Sequence, residues 1–209
     1  LLDYELIRKH PKIISSFSDS TSLLNAVSCR SGLVTFYGQS IRTFEKCYET
    51  IREGKDLPYN LQVFMERLVE VSSRYKAAAP WRVLCEGHAE GTLTGGYLVN
   101  YTLLQDTPYY SLKEEMRGEE RGLLFLEDHE KFNEPAAVSR YLSCLEQEGV
   151  FEKASGLIFG HYSENAEPFY EGSNKSKDEI VDEILFRIGE KHRIPVVRTD
   201  DFGHGACNQ

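Results

Sequence analysis

Short apolar runs of β character alternate with longer stretches of helical spacing along the chain, and this alternation constrains the fold most. Residues 12–17 (KIISSF) read as a short buried strand. The cluster Ser18-Asp19-Ser20-Thr21 follows, then Leu23, Leu24 and Val27 at helical spacing, so a helix begins near Asp19. Residues 32–37 (GLVTFY) read as a second strand. Further on, strands are predicted over residues 81–86, 122–126, 155–160 and 194–198, and helices over 136–148 and 177–191. Strands that alternate with helices pair in parallel, so the spacing predicts an α/β fold.

The remaining segments suggest two units. Residues 3–10 read as the end of a helix that Pro11 stops. The chain opens there without Met, which points to a piece of a longer protein. Amphipathic helices are predicted over 41–52 and 61–75, joined by a turn at 54–58, and residues 76–80 (KAAAP) read as a linker. The division falls near residue 78: an α/β unit over 1–78 and a second unit over 79–209. Gly87, Gly91, Gly95 and Gly96 mark close backbone approaches in a β-rich start to the second unit.

Composition narrows the function classes. With 41% hydrophobic and 27% charged residues, the 209-residue chain has the balance of a globular protein. The net charge of −9 argues against nucleic acid or an anionic membrane surface as partner, since both need clustered Lys and Arg. The longest uncharged stretch, residues 91–105, is too short and too polar to span a bilayer. Five scattered cysteines (Cys29, Cys47, Cys85, Cys144, Cys207) read as reduced thiols, which predicts a cytoplasmic protein.

Three polar positions each follow an apolar strand. Ser18 sits at a strand-to-helix turn, where its hydroxyl can serve either as a helix cap or as a nucleophile beside the first free N–H groups of the helix. Glu127 follows the GLLFL strand, at the strand end where open α/β sheets build their sites, and could equally be a solvated strand end. His204 lies in the run Asp200-Asp201-Phe202-Gly203-His204-Gly205, read as a loop; His is the usual base for a serine nucleophile, and an acid orients it. Other signals carry less. Cys85 and His88 have metal-ligand spacing but no second pair, and His129 and His161 follow strands without a helical partner. The triplet Asp201-Phe202-Gly203 lacks the phosphate loop and catalytic loop of a kinase.

Taken together, several motifs resemble the LD-carboxypeptidase family of serine peptidases. They are Pro11 to Ile14 leading into Phe17-Ser18-Asp19-Ser20-Thr21; Glu90 to Gly96 followed by Leu103 to Tyr109; Leu124-Phe125-Leu126-Glu127-Asp128; and Asp201-Phe202-Gly203-His204. The family includes muropeptide-recycling enzymes and microcin C immunity peptidases. The resemblance implies a Rossmann-like first domain, partial in this chain, that carries Ser18 as nucleophile. It implies a swivelling β/α second domain that carries Glu127 as orienting acid and His204 as base. The Asp19 N–H would be one oxyanion donor. Ser16 stands where the family's turn has Gly, Tyr97 where Asn follows the Gly pair, and Gly205 where a hydroxyl residue is common.

The resemblance further implies a cytoplasmic homodimer that needs no metal and no cofactor. The expected reaction removes a C-terminal D-amino acid from a murein tetrapeptide. The alternative is cleavage of a peptide-nucleotide toxin, to which residues 41–79 and Trp81 hint. A second alternative is an inactive binding module on the same fold. Trp81 and Tyr97 are candidate substrate contacts, by stacking on an adenine. An anionic substrate would need a local basic pocket, for which Arg82, Arg140 and Arg198 are candidates.

Overall fold

The computed structural model describes residues 2–38, 59–69, 76–110, 121–163 and 174–205. Asp3 starts a helix rather than sitting in the tail of one: its side chain accepts the Leu6 N–H at 2.9 Å, and α1 spans Tyr4–Lys9. A two-stranded parallel sheet follows. β1 (Ser15–Ser16) leads through a 3₁₀ turn (Ser18–Ser20) into α2 (Thr21–Ser31), and the chain returns as β2 (Phe36–Tyr37). Ser15 pairs with Phe36 and Ser16 with Tyr37.

Both strands are shorter than their apolar runs. Residues 12–17 are not a buried strand: Ile13 is 64% exposed, and among the described residues β1 pairs with β2 alone. The start of the GLVTFY run is used to end α2, where Gly32 at φ 72° donates its N–H to the Ser28 carbonyl. Of the helix expected over 61–75, the described part is α3 (Tyr59–Phe64) and a π turn (Met65–Val69). The helix expected over 41–52 and the turn at 54–58 lie outside the described residues.

The second sheet has five strands: β3 (Arg82–Cys85), β4 (Thr92–Tyr97), β5 (Gly122–Glu127), β6 (Ala154–His161) and β7 (Val196–Gly203), in the order β3-β7-β6-β5-β4. β4 to β7 pair in parallel, and β3 joins the edge antiparallel. Helices cover one face of the parallel strands, where Leu124, Leu126, Leu157 and Phe159 are at most 1% exposed, while Leu123, Phe125 and Ile158 on the opposite face are half-buried. The connections are α4 (Leu98–Leu103), α5 (Pro135–Gln147), α6 (Val150–Lys153) and α7 (Lys177–His192). Pro135 opens α5, where its missing N–H costs nothing, and a Ser176–Glu179 capping box opens α7.

β7 runs further than its apolar core. Asp200, Asp201, Phe202 and Gly203 continue the strand instead of forming a loop, but as a bulge: β6 pairs at Phe159–Arg198 and again at His161–Gly203, and residues 199–202 bow out between these two pairs. The carboxyl ends of four parallel strands thus come level, with Tyr97 beside Glu127 and His161 beside Gly203. α2 docks on this edge. Thr21 Oγ1 accepts the Tyr97 N–H at 2.9 Å, and Asn25 Nδ2 donates to the Gly95 carbonyl at 3.0 Å. The approach requires glycine, since a Cβ at Gly96 would lie 2.5 Å from Thr21 Oγ1.

Candidate active site

Ser18 stands where β1 ends and the helical turn begins. Phe17 is extended, Ser18 turns back at φ 58°, and Thr21 Oγ1 fastens the turn by donating to the Ser18 carbonyl at 2.8 Å. A left-handed backbone is costly for a residue with a Cβ, so this turn stores strain at a serine. Ser18 does not cap: neither the 3₁₀ turn nor α2 has a side-chain cap bond. Its Oγ lies instead 2.9 Å from His204 Nε2.

His204 follows β7 directly and meets Glu127 at the end of β5, with Nδ1 2.8 Å from Oε2. A carboxylate only accepts, so the shared proton belongs to Nδ1, and Nε2 is left to accept from the Ser18 hydroxyl. Glu127 is fully buried. Phe17 packs 4.5 Å from the imidazole centre, and Tyr97 and Phe132 both lie 5.2 Å from it. These rings fix the imidazole's orientation.

Tyr37, which the sequence reading left unassigned, joins the same group. Its phenol donates to Glu127 Oε1 and accepts the Ser18 N–H at 3.1 Å. Burial, and next the Glu127 charge, hold the phenol far above its ordinary range, so it stays protonated. The only trace of this in the sequence is that an apolar strand ends on a residue with a polar tip.

A second polar layer adjoins the first. Asp128 is fully buried, and its Oδ1 accepts from the His129 N–H at 2.7 Å and from Asn133 Nδ2 at 3.0 Å. Burial pushes its carboxyl up to about 7. His129 lies 5.8 Å from His161 and 5.9 Å from His204, ring to ring, and burial lowers it below the usual imidazole range. His161 binds Asp200 through Nδ1 at 2.8 Å. A Cβ at Gly205 would lie 2.6 Å from the His161 ring, which accounts for glycine there.

The other candidates fall in different places. Asp19 is exposed at the first turn, where a helix has unpaired N–H groups. Trp81 donates its indole N–H to Asp201 Oδ2 at 2.7 Å, and Ala78 donates to the other oxygen at 2.9 Å, so the segment before β3 is tied to β7. Tyr97 is buried against His204 instead of offering an open stacking face. Cys85 and His88 do not converge: Cys85 bonds the Phe186 carbonyl and His88 bonds Glu90 on the surface. No basic pocket forms from the three arginines. Arg82 and Arg198 are both held by Asp178 and Asp182, and Arg140 is exposed on α5.

Comparison with known proteins gives this geometry a context. The profile of the LD-carboxypeptidase C-terminal domain matches residues 90–209, and that of the LD-carboxypeptidase N-terminal domain matches residues 1–38. The chain is 30% identical over 204 residues to a probable murein peptide carboxypeptidase of Bacillus subtilis, covering 97% of this chain and 58% of the relative. It is 26% identical over 234 residues to the microcin C7 self-immunity protein of Escherichia coli, covering 97% and 61%. The crystal structure of an MccF-like protein from Bacillus anthracis superposes with a TM-score of 0.71 at 25% identity, covering all of this chain and 64% of that one. The chain spans about three fifths of the length of the curated relatives it matches.

Proposed function

The chain belongs to the LD-carboxypeptidase family, and on that premise we propose that it is a serine carboxypeptidase acting through Ser18, Glu127 and His204. One observation carries the reading: Ser18 Oγ, His204 and Glu127 form a continuous hydrogen-bonded line at the carboxyl ends of parallel strands. The distances lie within the reach that nucleophile, base and orienting acid need. On this reading residues 1–78 carry the nucleophile and 79–209 carry the acid and base. The homodimer and the cytoplasmic setting belong to the same proposal.

His204 Nε2 takes the Ser18 proton as Oγ attacks the carbonyl of an L-residue whose amide links to a terminal D-amino acid. The Asp19 N–H donates to the oxyanion. His204 then gives the proton to the departing amine, and the C–N bond breaks. Water, deprotonated by the same nitrogen, attacks the acyl carbon, and the proton passes to Ser18 Oγ as the acyl–oxygen bond breaks. Throughout, Glu127 holds the imidazole in one tautomer and balances its positive charge. The substrate is a murein tetrapeptide that loses D-alanine.

A second reading shares this machinery and takes an aminoacyl-nucleotide substrate. It is favoured by Trp81, whose ring is fixed by Asp201 yet 37% exposed, a face suited to stacking on a nucleobase. The reading as an inactive binding module is opposed by the 2.9 Å contact of Ser18 with His204.

The experiment offers the full-length protein a murein tetrapeptide and aspartyl-sulfamoyl adenosine together, with products followed by mass spectrometry. Release of D-alanine supports the first reading. Cleavage of the adenosine conjugate alone transfers the site to the second, and turnover of neither removes both.

A further inference from the structure

Tyr37 bridges the two sheets at the reacting serine. It ends β2 in the two-stranded sheet, and its phenol reaches Glu127 at the end of β5 in the five-stranded sheet. The same oxygen accepts the N–H of Ser18 at 3.1 Å. With Ser18 Oγ on His204 Nε2 and His204 Nδ1 on Glu127 Oε2, the bonds close into a ring: Ser18 N–H, Tyr37, Glu127, His204, Ser18 Oγ.

Each link of the ring is chemically specific. Glu127 has two carboxylate oxygens, one on His204 and the other on Tyr37. A phenol is one of few side chains that can donate to a carboxylate and accept from an amide through a single atom. Ser18 also needs an acceptor at this point, because it opens the 3₁₀ turn, where the first N–H groups have no partner within the helix. The ring of Tyr37 is wedged between Phe17, at 5.6 Å, and Phe125, at 5.7 Å, so the phenol has little room to swing away.

We propose that Tyr37 is a positioning residue for the Ser18 reaction. It fixes the strained serine turn and the Glu127 carboxylate to one oxygen, so nucleophile and acid keep their separation although they stand on different sheets. It touches no substrate atom. The proposal rests on the reading of Ser18 as nucleophile and adds a residue to it.

The test uses a small fluorophosphonate, which needs a reactive serine but no natural substrate. The probe forms a bond from serine oxygen to phosphorus as fluoride leaves. The full-length protein is compared with Ser18→Ala, Tyr37→Phe and a form carrying 3,5-difluorotyrosine at position 37, with adducts mapped by peptide mass. Absence of labelling at Ser18 in the unchanged protein overturns the nucleophile reading itself. With labelling at Ser18 established, Tyr37→Phe is expected to lower the maximal labelling rate about 10- to 100-fold, the range for a lost hydrogen bond to a charged group. The concentration for half-maximal rate is expected to stay the same. The difluorotyrosine form keeps shape and hydroxyl and is expected to restore most of the rate. Thermal unfolding of each form separates loss of fold from loss of positioning. A Tyr37→Phe rate within twofold of the unchanged protein, or a difluorotyrosine form as slow as a folded Tyr37→Phe, overturns the proposal.

Discussion

Ser18 and His204 lie 186 residues apart and come from different sheets, yet Ser18 Oγ is 2.9 Å from His204 Nε2. The serine reaches that point only because its backbone turns to φ 58°. A glycine would adopt the turn without strain, but glycine has no hydroxyl. The contact therefore exchanges local stability for a hydroxyl held against the imidazole.

That exchange is measurable. Ser18→Ala and Ser18→Gly both remove the hydroxyl, and only the glycine relieves the backbone. Ser18→Gly is expected to be more stable than Ser18→Ala by about 1 kcal/mol. Urea unfolding of the two variants checks this; equal stabilities would place the strain elsewhere.

Glu127 is fully buried, with one oxygen on His204 and the other on Tyr37. Glu127→Gln keeps the shape but puts an amide nitrogen where one of two donors needs an acceptor. Turnover is expected to fall by about 10⁴ at neutral pH, as for an orienting acid neutralised in place. Steady-state kinetics are expected to show the loss in kcat, with KM little changed.

Thr21 is buried and ties the serine turn to the second sheet, through the Ser18 carbonyl on one side and the Tyr97 N–H on the other. Thr21→Val keeps the volume and removes both bonds, at an expected cost of about 1–3 kcal/mol. Thr21→Ser retains the hydroxyl and is expected to lose less. Comparison of their unfolding midpoints tests whether the hydroxyl, more than the methyl, carries the joint.

Asp128 gives a pH signature. Burial raises its carboxyl to about 7 in the folded protein, while the unfolded chain titrates near the ordinary value of about 4. The folded state holds the proton more tightly, so stability falls as pH rises from about 4 to about 7. Asp128→Asn keeps an acceptor for His129 and Asn133 and has no proton to lose. At about 1.4 kcal/mol per pH unit, its advantage over the unchanged protein is expected to grow across that window to about 2–4 kcal/mol and then level off. A gap that stays constant with pH would contradict the assignment.

The three candidate residues are legible in the sequence because each comes after an apolar run, Ser18 and Glu127 directly and His204 a few positions later, and strand ends are where an α/β sheet gathers its chemistry. The role of Ser18 is not, since a cap and a nucleophile both call for a hydroxyl at the start of a helix. Only the neighbour decides, and His204 is remote in sequence. Tyr37 stays hidden for the same reason: its partner Glu127 is 90 positions away. The acidic run Asp200-Asp201 reads as a loop by local preference, and the strand carries it as a bulge between the pairs Arg198–Phe159 and Gly203–His161. Residues 12–17 show the reverse case: the apolar pattern suggests burial, but one paired edge and an exposed Ile13 leave only two residues in the strand.

The central claim is that Ser18 performs the cleavage. The most direct measurement is the rate of D-alanine release from a murein tetrapeptide by the full-length protein and by its Ser18→Ala variant, each shown to be folded. The account predicts release by the unchanged protein and a rate lower by about 10⁴ or more in the variant. A variant that keeps its rate within about tenfold, a difference of roughly 1.4 kcal/mol in barrier, would contradict it.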